Sequence, residues 1–200
     1  MTWIQTIPYT SAAGRLKKLY DYIKGPGDNV DNIMMAHSLR PHTMEGHLSL
    51  YKNVLHHSAN SLPRWYMECL GLYVSLMNGC DYCVEHHYEG LRRLLGNSEP
   101  AKAIRDALEH GSLPEGFDGK EQAGIRYARL LTQAPDSLAE DDIQGLRRAG
   151  FKDGEILEAN QVISYFAYAN RMVLGLGVTT EGDILGLSPS SDDPDNWSHR

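Results

Sequence analysis

The feature that most constrains this chain is the spacing of its apolar residues, which follows the period of an α-helix through most of its length. Met44, Leu48, Tyr51 and Leu55 recur at i, i+4, i+7 and i+11, which places them on one helical face. The alternation with a period of two that marks a half-buried β-strand is nearly absent. The pattern therefore predicts an all-α fold.

Capping and breaking residues divide the periodic stretches into separate helices. Pro41 suits the first position of a helix, and Ser137 with Glu140 has the spacing of a capping box. No linker or internal repeat divides the chain, so we expect one domain over 1–200 with a loose polar tail from about 186 to 200. The predicted helices run over 11–23, 32–38, 41–57, 61–77, 80–95, 99–109, 120–132, 137–150 and 153–174.

Composition narrows the class of protein. The chain has 200 residues, of which 42% are hydrophobic and 22% charged, which is ordinary for a soluble folded domain. A net charge of −7 argues against nucleic acid or an anionic membrane surface as a partner. The first ten residues lack a signal peptide pattern, and the most apolar stretch carries Asn170 and Arg171 and is too polar for a membrane span. We therefore expect a cytoplasmic protein with no nucleic-acid or membrane partner.

The three cysteines, Cys69, Cys80 and Cys83, are too few for a disulfide scaffold, and two of them form a CxxC pair. On a helix, Cys80, Cys83 and His87 fall within a stripe about 60° wide, whereas His86 lies about 120° off it. Cysteines at i and i+3 at the start of a helix can approach disulfide distance. His87, one turn beyond Cys83, can take or give the thiol proton. The spacing predicts a redox dithiol with its own base.

These residues leave several alternatives open. The helix N-terminus favours a thiolate on Cys80, whereas proximity to His87 favours Cys83, so position does not decide which cysteine attacks first. Structural zinc needs four ligands, and no second CxxC is present. Val84 stands where c-type haem attachment needs histidine. Cys69 is expected to fill the core, and His86 to be solvated.

The helix that precedes the CxxC pair is apolar almost all round and should be buried. Its polar exceptions share one stripe about 80° wide, and they are Arg64, Glu68, Gly71, Ser75 and Asn78. Buried polar side chains need hydrogen-bonding partners, and we expect this stripe to find them at the CxxC site immediately downstream. Glu68 is a candidate for proton transfer there, although an ion pair with Arg64 or Arg171 is its more ordinary use. His47, beside an apolar face, is interpreted as a core or interface histidine.

Glu68, Cys80, Cys83 and His87 together match a known signature, which is Glu, eleven residues, CxxC, three residues and His. In this respect the chain resembles the alkylhydroperoxidase AhpD-like proteins of the carboxymuconolactone decarboxylase superfamily. The later elements Gly150-Phe151, Tyr165-Phe166 and Asn170-Arg171 are similar to the subgroup of uncharacterised peroxidase-related proteins. The resemblance covers roughly residues 30 to 180. It differs at Tyr82, where the best-studied members have histidine between the cysteines.

The resemblance implies an AhpD-like helical bundle that assembles as a dimer, trimer or hexamer, and a thiol peroxidase activity. Cys83 would be oxidised by a small hydroperoxide, and Cys80 would resolve the sulfenic acid as a disulfide. His87 and Glu68 would relay protons. The redox-active disulfide would be reset by an external dithiol or lipoyl-type reductant, with no other cofactor and no metal. The alternatives are a redox-sensing dithiol protein without turnover and a carboxymuconolactone decarboxylase-type enzyme, whose members lack the CxxC pair.

Overall fold

The computed structural model describes residues 2–188 and is built from α-helices, with no β-strand among those residues. This confirms the all-α fold. Nine α-helices are present in the described part of the chain: α1 (Gly14–Ile23), α2 (Asn32–Met35), α3 (Pro41–Tyr51), α4 (Arg64–Met77), α5 (Asp81–Leu95), α6 (Ser98–Glu109), α7 (Gly119–Gln133), α8 (Glu140–Arg148) and α9 (Asp153–Leu176).

Helix α4 forms the centre of the molecule because ten consecutive residues, from Tyr66 to Ser75, are buried. It packs against α5, α6, α7 and α9, and the main apolar core lies between these helices. Cys69 belongs to this core and is fully buried, as predicted. A second apolar cluster joins α1, α2 and α3. A third lies around Cys80 and Cys83, where the end of α9 meets the start of α5.

Several predicted helix ends differ from the observed ones. Ser11 lies in a 3₁₀ turn, and α1 begins at Gly14. The third helix continues beyond Tyr51 as a π-helical segment, Lys52–His56, instead of as regular α-helix. Ser137 does not cap α8, because its hydroxyl donates to the carbonyl of Ala134; the Asp142 carboxylate accepts from the amide of Ala139 instead. The acceptor that closes this helix end therefore lies within its first turn.

The chain after α9 is folded where the loose tail is predicted to begin. Helix α9 ends beside Gly177, whose φ of 61° gives the left-handed conformation favoured at a helix C-terminus. Leu187 is buried, and it contacts the interior together with its neighbours Gly186 and Ser188. The prediction of a loose tail is therefore wrong for residues 186–188. The remainder of that predicted tail, 189–200, lies outside the described residues.

Candidate active site

The CxxC pair lies at the junction between α4 and α5. Gly79 has a φ of 66°, which allows the sharp turn between the two helices. Cys80 occupies the N-cap of α5, and its amide donates to the carbonyl of Ser75. Cys83 lies one turn later on α5. Both cysteines are buried, Cys80 fully and Cys83 to 3% exposure, so the protein limits access to the sulfurs.

The two sulfurs are free thiols whose Sγ atoms lie 2.8 Å apart. Hydrogen bonding within the pair lowers the pKa of Cys80 and raises the pKa of Cys83, and burial adds to the rise at Cys83. These opposite shifts favour the thiolate on Cys80 and the proton on Cys83. The position of Cys80 at a helix N-terminus favours the same distribution.

The carboxylate of Glu68 and the ring of His87 form a close pair across α4 and α5. The Oε2 atom of Glu68 lies 2.7 Å from Nδ1 of His87, and the two side chains are only 6% and 17% exposed. The expected alternatives for Glu68 are wrong. Arg64 contacts Nδ1 of His56, and Arg171 donates to the carbonyl of Ala167. Glu68 instead orients the imidazole, which leaves Nε2 as the other nitrogen available for proton transfer.

A small cavity of about 50 Å³ brings these groups together. Cys83, His87 and Glu68 all line it, whereas Cys80 lies behind Cys83. The four residues predicted from sequence thus converge, three on one cavity and the fourth in contact with its sulfur. Aromatic rings and the chain after α9 supply most of the remaining wall.

The polar stripe of α4 leads to α9 as well as to the cavity. The amide of Asn170, which is fully buried, donates to Oγ of Ser75 and accepts from Nδ2 of Asn78. The same amide acts to lower the pKa of both Cys80 and Cys83. Sequence reasoning noted Asn170 as a polar residue in the most apolar stretch and in the family resemblance, and did not connect it with the cysteines. A buried asparagine in an apolar helix is the signal that could have found it.

His86 is not solvated as predicted. Its side chain is 11% exposed, and Nε2 lies 3.3 Å from Oδ2 of Asp183. The hydroxyl of Tyr82 donates to the same oxygen at 2.7 Å, and the rings of Tyr82 and His86 pack against each other with a tilt of 32° and 4.5 Å between centroids. Asp183 was missed because nothing in its local sequence distinguishes it from a surface aspartate. The prediction for His47 is correct, since it lies buried against Tyr165.

Residues 2–188 contain no group of three His, Cys, Asp or Glu side chains arranged to hold a metal ion. No helix within the same range is both long and apolar enough to cross a membrane.

A family profile matches the part of the chain that holds the site. The carboxymuconolactone decarboxylase family profile matches residues 41–129, which contain Glu68, the CxxC pair and His87. The match confirms the resemblance drawn from the sequence, because residues 41–129 fit the profile of the carboxymuconolactone decarboxylase family. No curated protein matches the chain in sequence.

Solved structures show the same fold over most of the chain. An uncharacterized peroxidase-related protein from Silicibacter sp. TM1040 is 20% identical, with a TM-score of 0.75 over 89% of this chain and 91% of its own. An AhpD-core peroxidase-related protein from Ralstonia eutropha JMP134 is also 20% identical, with a TM-score of 0.73 and the same coverage. The debrominase Bmp8, solved with 2,3,4-tribromopyrrole, is 16% identical, with a TM-score of 0.65 over 84% of each chain. The chain thus has the AhpD-like helical fold, which carries more than one kind of chemistry.

Proposed function

We propose that this protein is a thiol-dependent peroxidase that reduces hydroperoxides through a dithiol and disulfide cycle of Cys80 and Cys83. One observation carries the proposal. Cys83 shares a cavity with the Glu68 and His87 pair, and the sulfur of Cys80 lies 2.8 Å from that of Cys83. A nucleophile and a proton carrier thus face the same small molecule, and a resolving thiol is in contact with the nucleophile.

The first half-reaction oxidises Cys83. His87 takes the thiol proton, and the Cys83 thiolate attacks the terminal oxygen of the hydroperoxide. The O–O bond breaks, Cys83 becomes a sulfenic acid, and the alkoxide takes the proton back from His87 to leave as an alcohol. Glu68 stabilises the imidazolium that forms between these steps, because its carboxylate accepts from Nδ1.

The second half-reaction forms the disulfide. The lowered pKa of Cys80 supplies a thiolate that attacks the sulfur of the Cys83 sulfenic acid. The S–S bond forms, and the hydroxide that leaves takes a proton from solvent through His87 to become water. A dithiol reductant, of lipoyl type in the related family, then reduces the disulfide by thiol exchange and is itself oxidised to a disulfide. We further propose a cytoplasmic setting and assembly into a homo-oligomer.

Steady-state peroxide consumption with dihydrolipoamide tests the function directly. The wild type is compared with Cys83→Ser, Cys80→Ser and Cys69→Ser, the last being a matched control because Cys69 lies in the core away from the cavity. We expect turnover in the wild type and the Cys69 variant, and none above background in the other two. A gain of one oxygen on Cys83 in Cys80→Ser after exposure to peroxide, measured by mass spectrometry and absent from Cys83→Ser, would identify Cys83 as the peroxidatic thiol.

The alternatives predict different outcomes. A redox-sensing protein would be oxidised stoichiometrically by peroxide, without turnover in the presence of reductant. A decarboxylase-type enzyme would consume no peroxide, and its activity would survive loss of both cysteines. Equal peroxide turnover in the wild type and Cys83→Ser would contradict the proposal.

A further inference from the structure

The segment 179–188, which follows α9 and is called the strap below, forms one wall of the cavity. Gly186, Leu187 and Ser188 line it together with Cys83 and His87. The strap comes from a distant part of the chain, and nothing in the signature of the site includes it. The contacts of the strap therefore set the position of this wall.

Polar contacts fasten the strap to α2 and α5. The side-chain amide of Asn32 donates to the carbonyls of Thr179 and Glu181, at 2.8 and 2.9 Å. The carboxylate of Asp183 accepts from the backbone amide of Asn32 at 3.1 Å and from the hydroxyl of Tyr82 at 2.7 Å. Its side chain is 2% exposed. A buried carboxylate held by several donors fixes a segment strongly, because loss of its partners would leave the charge uncompensated.

Close backbone packing holds the far end of the strap. Gly186 has a φ of 71°, and a Cβ atom there would lie 2.7 Å from Cβ of Glu89 and 3.0 Å from the backbone nitrogen of Gly90. A Cβ atom on Gly90 would in turn lie 3.5 Å from the carboxylate of Glu68. Two glycines therefore bring the strap against α5 directly over Glu68, which keeps the Glu68 and His87 pair out of water.

The space that the strap leaves is small. The cavity volume is about 50 Å³. This is only a few times the ~10–15 Å³ that one water molecule needs on the same measure. This volume matches hydrogen peroxide more closely than a hydroperoxide that carries an aromatic ring.

We infer that the strap selects the substrate by size, so that hydrogen peroxide and the shortest alkyl hydroperoxides react and bulky organic hydroperoxides are excluded. Asp183 is the positioning residue that holds this limit, through Tyr82 and Asn32. The inference rests on the proposed peroxidase function for its substrate, although the accessibility of Cys83 can be measured without turnover.

The test compares hydrogen peroxide with cumene hydroperoxide. In the wild type, we expect kcat/KM for hydrogen peroxide to exceed that for cumene hydroperoxide by at least about tenfold. Asp183→Ala should reduce this ratio by about tenfold, because it releases the strap. Glu181→Ala is the matched control, since it changes an exposed side chain of the same strap and leaves the backbone contacts in place. Tyr82→Phe, which removes a single donor, provides a milder variant should Asp183→Ala fail to fold. Equal kcat/KM for the two peroxides in the wild type would overturn the inference.

Alkylation separates a failure of the inference from a failure of the proposed function. The rate at which Cys83 reacts with iodoacetamide and with 5-iodoacetamidofluorescein, which carries the same reactive group on a bulky dye, is followed by mass spectrometry, with no peroxide present. We expect the wild type to react much faster with the small reagent, and Asp183→Ala to lose this preference. If neither peroxide is turned over, the peroxidase proposal is wrong, and the alkylation rates still decide whether the strap restricts access. Similar rates for both reagents in the wild type would show that it does not.

Discussion

The carboxylate of Glu68 lies 2.7 Å from the imidazole of His87, although 19 positions separate them along the chain. The contact exists because α4 and α5 pack side by side and turn sharply at Gly79. It gives the histidine a fixed orientation toward the cavity that holds Cys83. The proton relay proposed for the peroxidase depends on this one contact between two helices.

Replacing Glu68 by Gln should slow the peroxidase without unfolding it. The amide keeps the shape of the side chain but cannot stabilise an imidazolium, so we expect kcat/KM to fall by about 10²-fold and its pH profile to shift. Steady-state kinetics between pH 5 and 9 and a thermal unfolding curve measure the two effects. Glu85→Gln is the control, because Glu85 lies on α5 and pairs with Arg105 outside the cavity. It should leave the kinetics and the thermal unfolding curve unchanged. Unaltered kinetics in Glu68→Gln would remove Glu68 from the mechanism.

Two glycine substitutions should change stability in opposite directions. A Cβ atom on Gly71 would lie 2.1 Å from the ring of Phe166, which itself packs edge-on against His87. Gly71→Ala should therefore destabilise the fold by about 1–3 kcal/mol through overpacking. Gly46, within α3, has open space around it, so Gly46→Ala should stabilise by about 0.5–1 kcal/mol. Urea unfolding measures both, and a neutral Gly71→Ala would contradict the close contact.

The pKa of Cys80 should depend on Cys83. Because hydrogen bonding from Cys83 lowers the pKa of Cys80, Cys83→Ala should raise that pKa toward its ordinary value and reduce the thiolate present at neutral pH. Thiolate absorbance at 240 nm, followed across a pH titration of the reduced protein, reports the change. Cys69→Ala is the control, since burial raises the pKa of Cys69 well above its usual range. A Cys80 titration that is the same with and without Cys83 would contradict this account.

The stability of the fold should fall at acid pH, in part through His47. Burial and the nearby ring of His37 lower the pKa of His47 to about 3, whereas an unfolded histidine titrates near ~6.5. Between these two pKa values, the histidine is protonated in the unfolded chain and neutral in the folded one. Stability is therefore full above about pH 6.5 and declines as the pH falls toward 3, by up to about 1.4 kcal/mol per pH unit. His47→Gln should flatten this dependence in urea unfolding, whereas His42→Gln, an exposed position on the same helix, should not. A slope unchanged by His47→Gln would assign the acid sensitivity to other groups.

The parts of the site that could be predicted are those fixed by the helical period. Cys80, Cys83 and His87 are neighbours because three and seven residues complete about one and two turns, and this holds wherever α5 lies. The burial of α4 follows similarly from its apolar surface on all sides, and Cys69 is buried with it. These properties are local, so the sequence by itself determined them.

The contacts between distant elements were decided only by the tertiary structure. Asp183 reaches Asn32 across 151 positions and Tyr82 across 101, and no periodic pattern relates residues that far apart. His86 was expected in solvent because it lies off the stripe of Cys80, Cys83 and His87 on α5. The helical pattern of α5 does not reveal that Asp183, from the segment after α9, packs against that other face. The chain after α9 forms one wall of the cavity. It is held there by close backbone packing at Gly186 and by buried hydrogen bonds to Asp183, and both form only in the folded molecule.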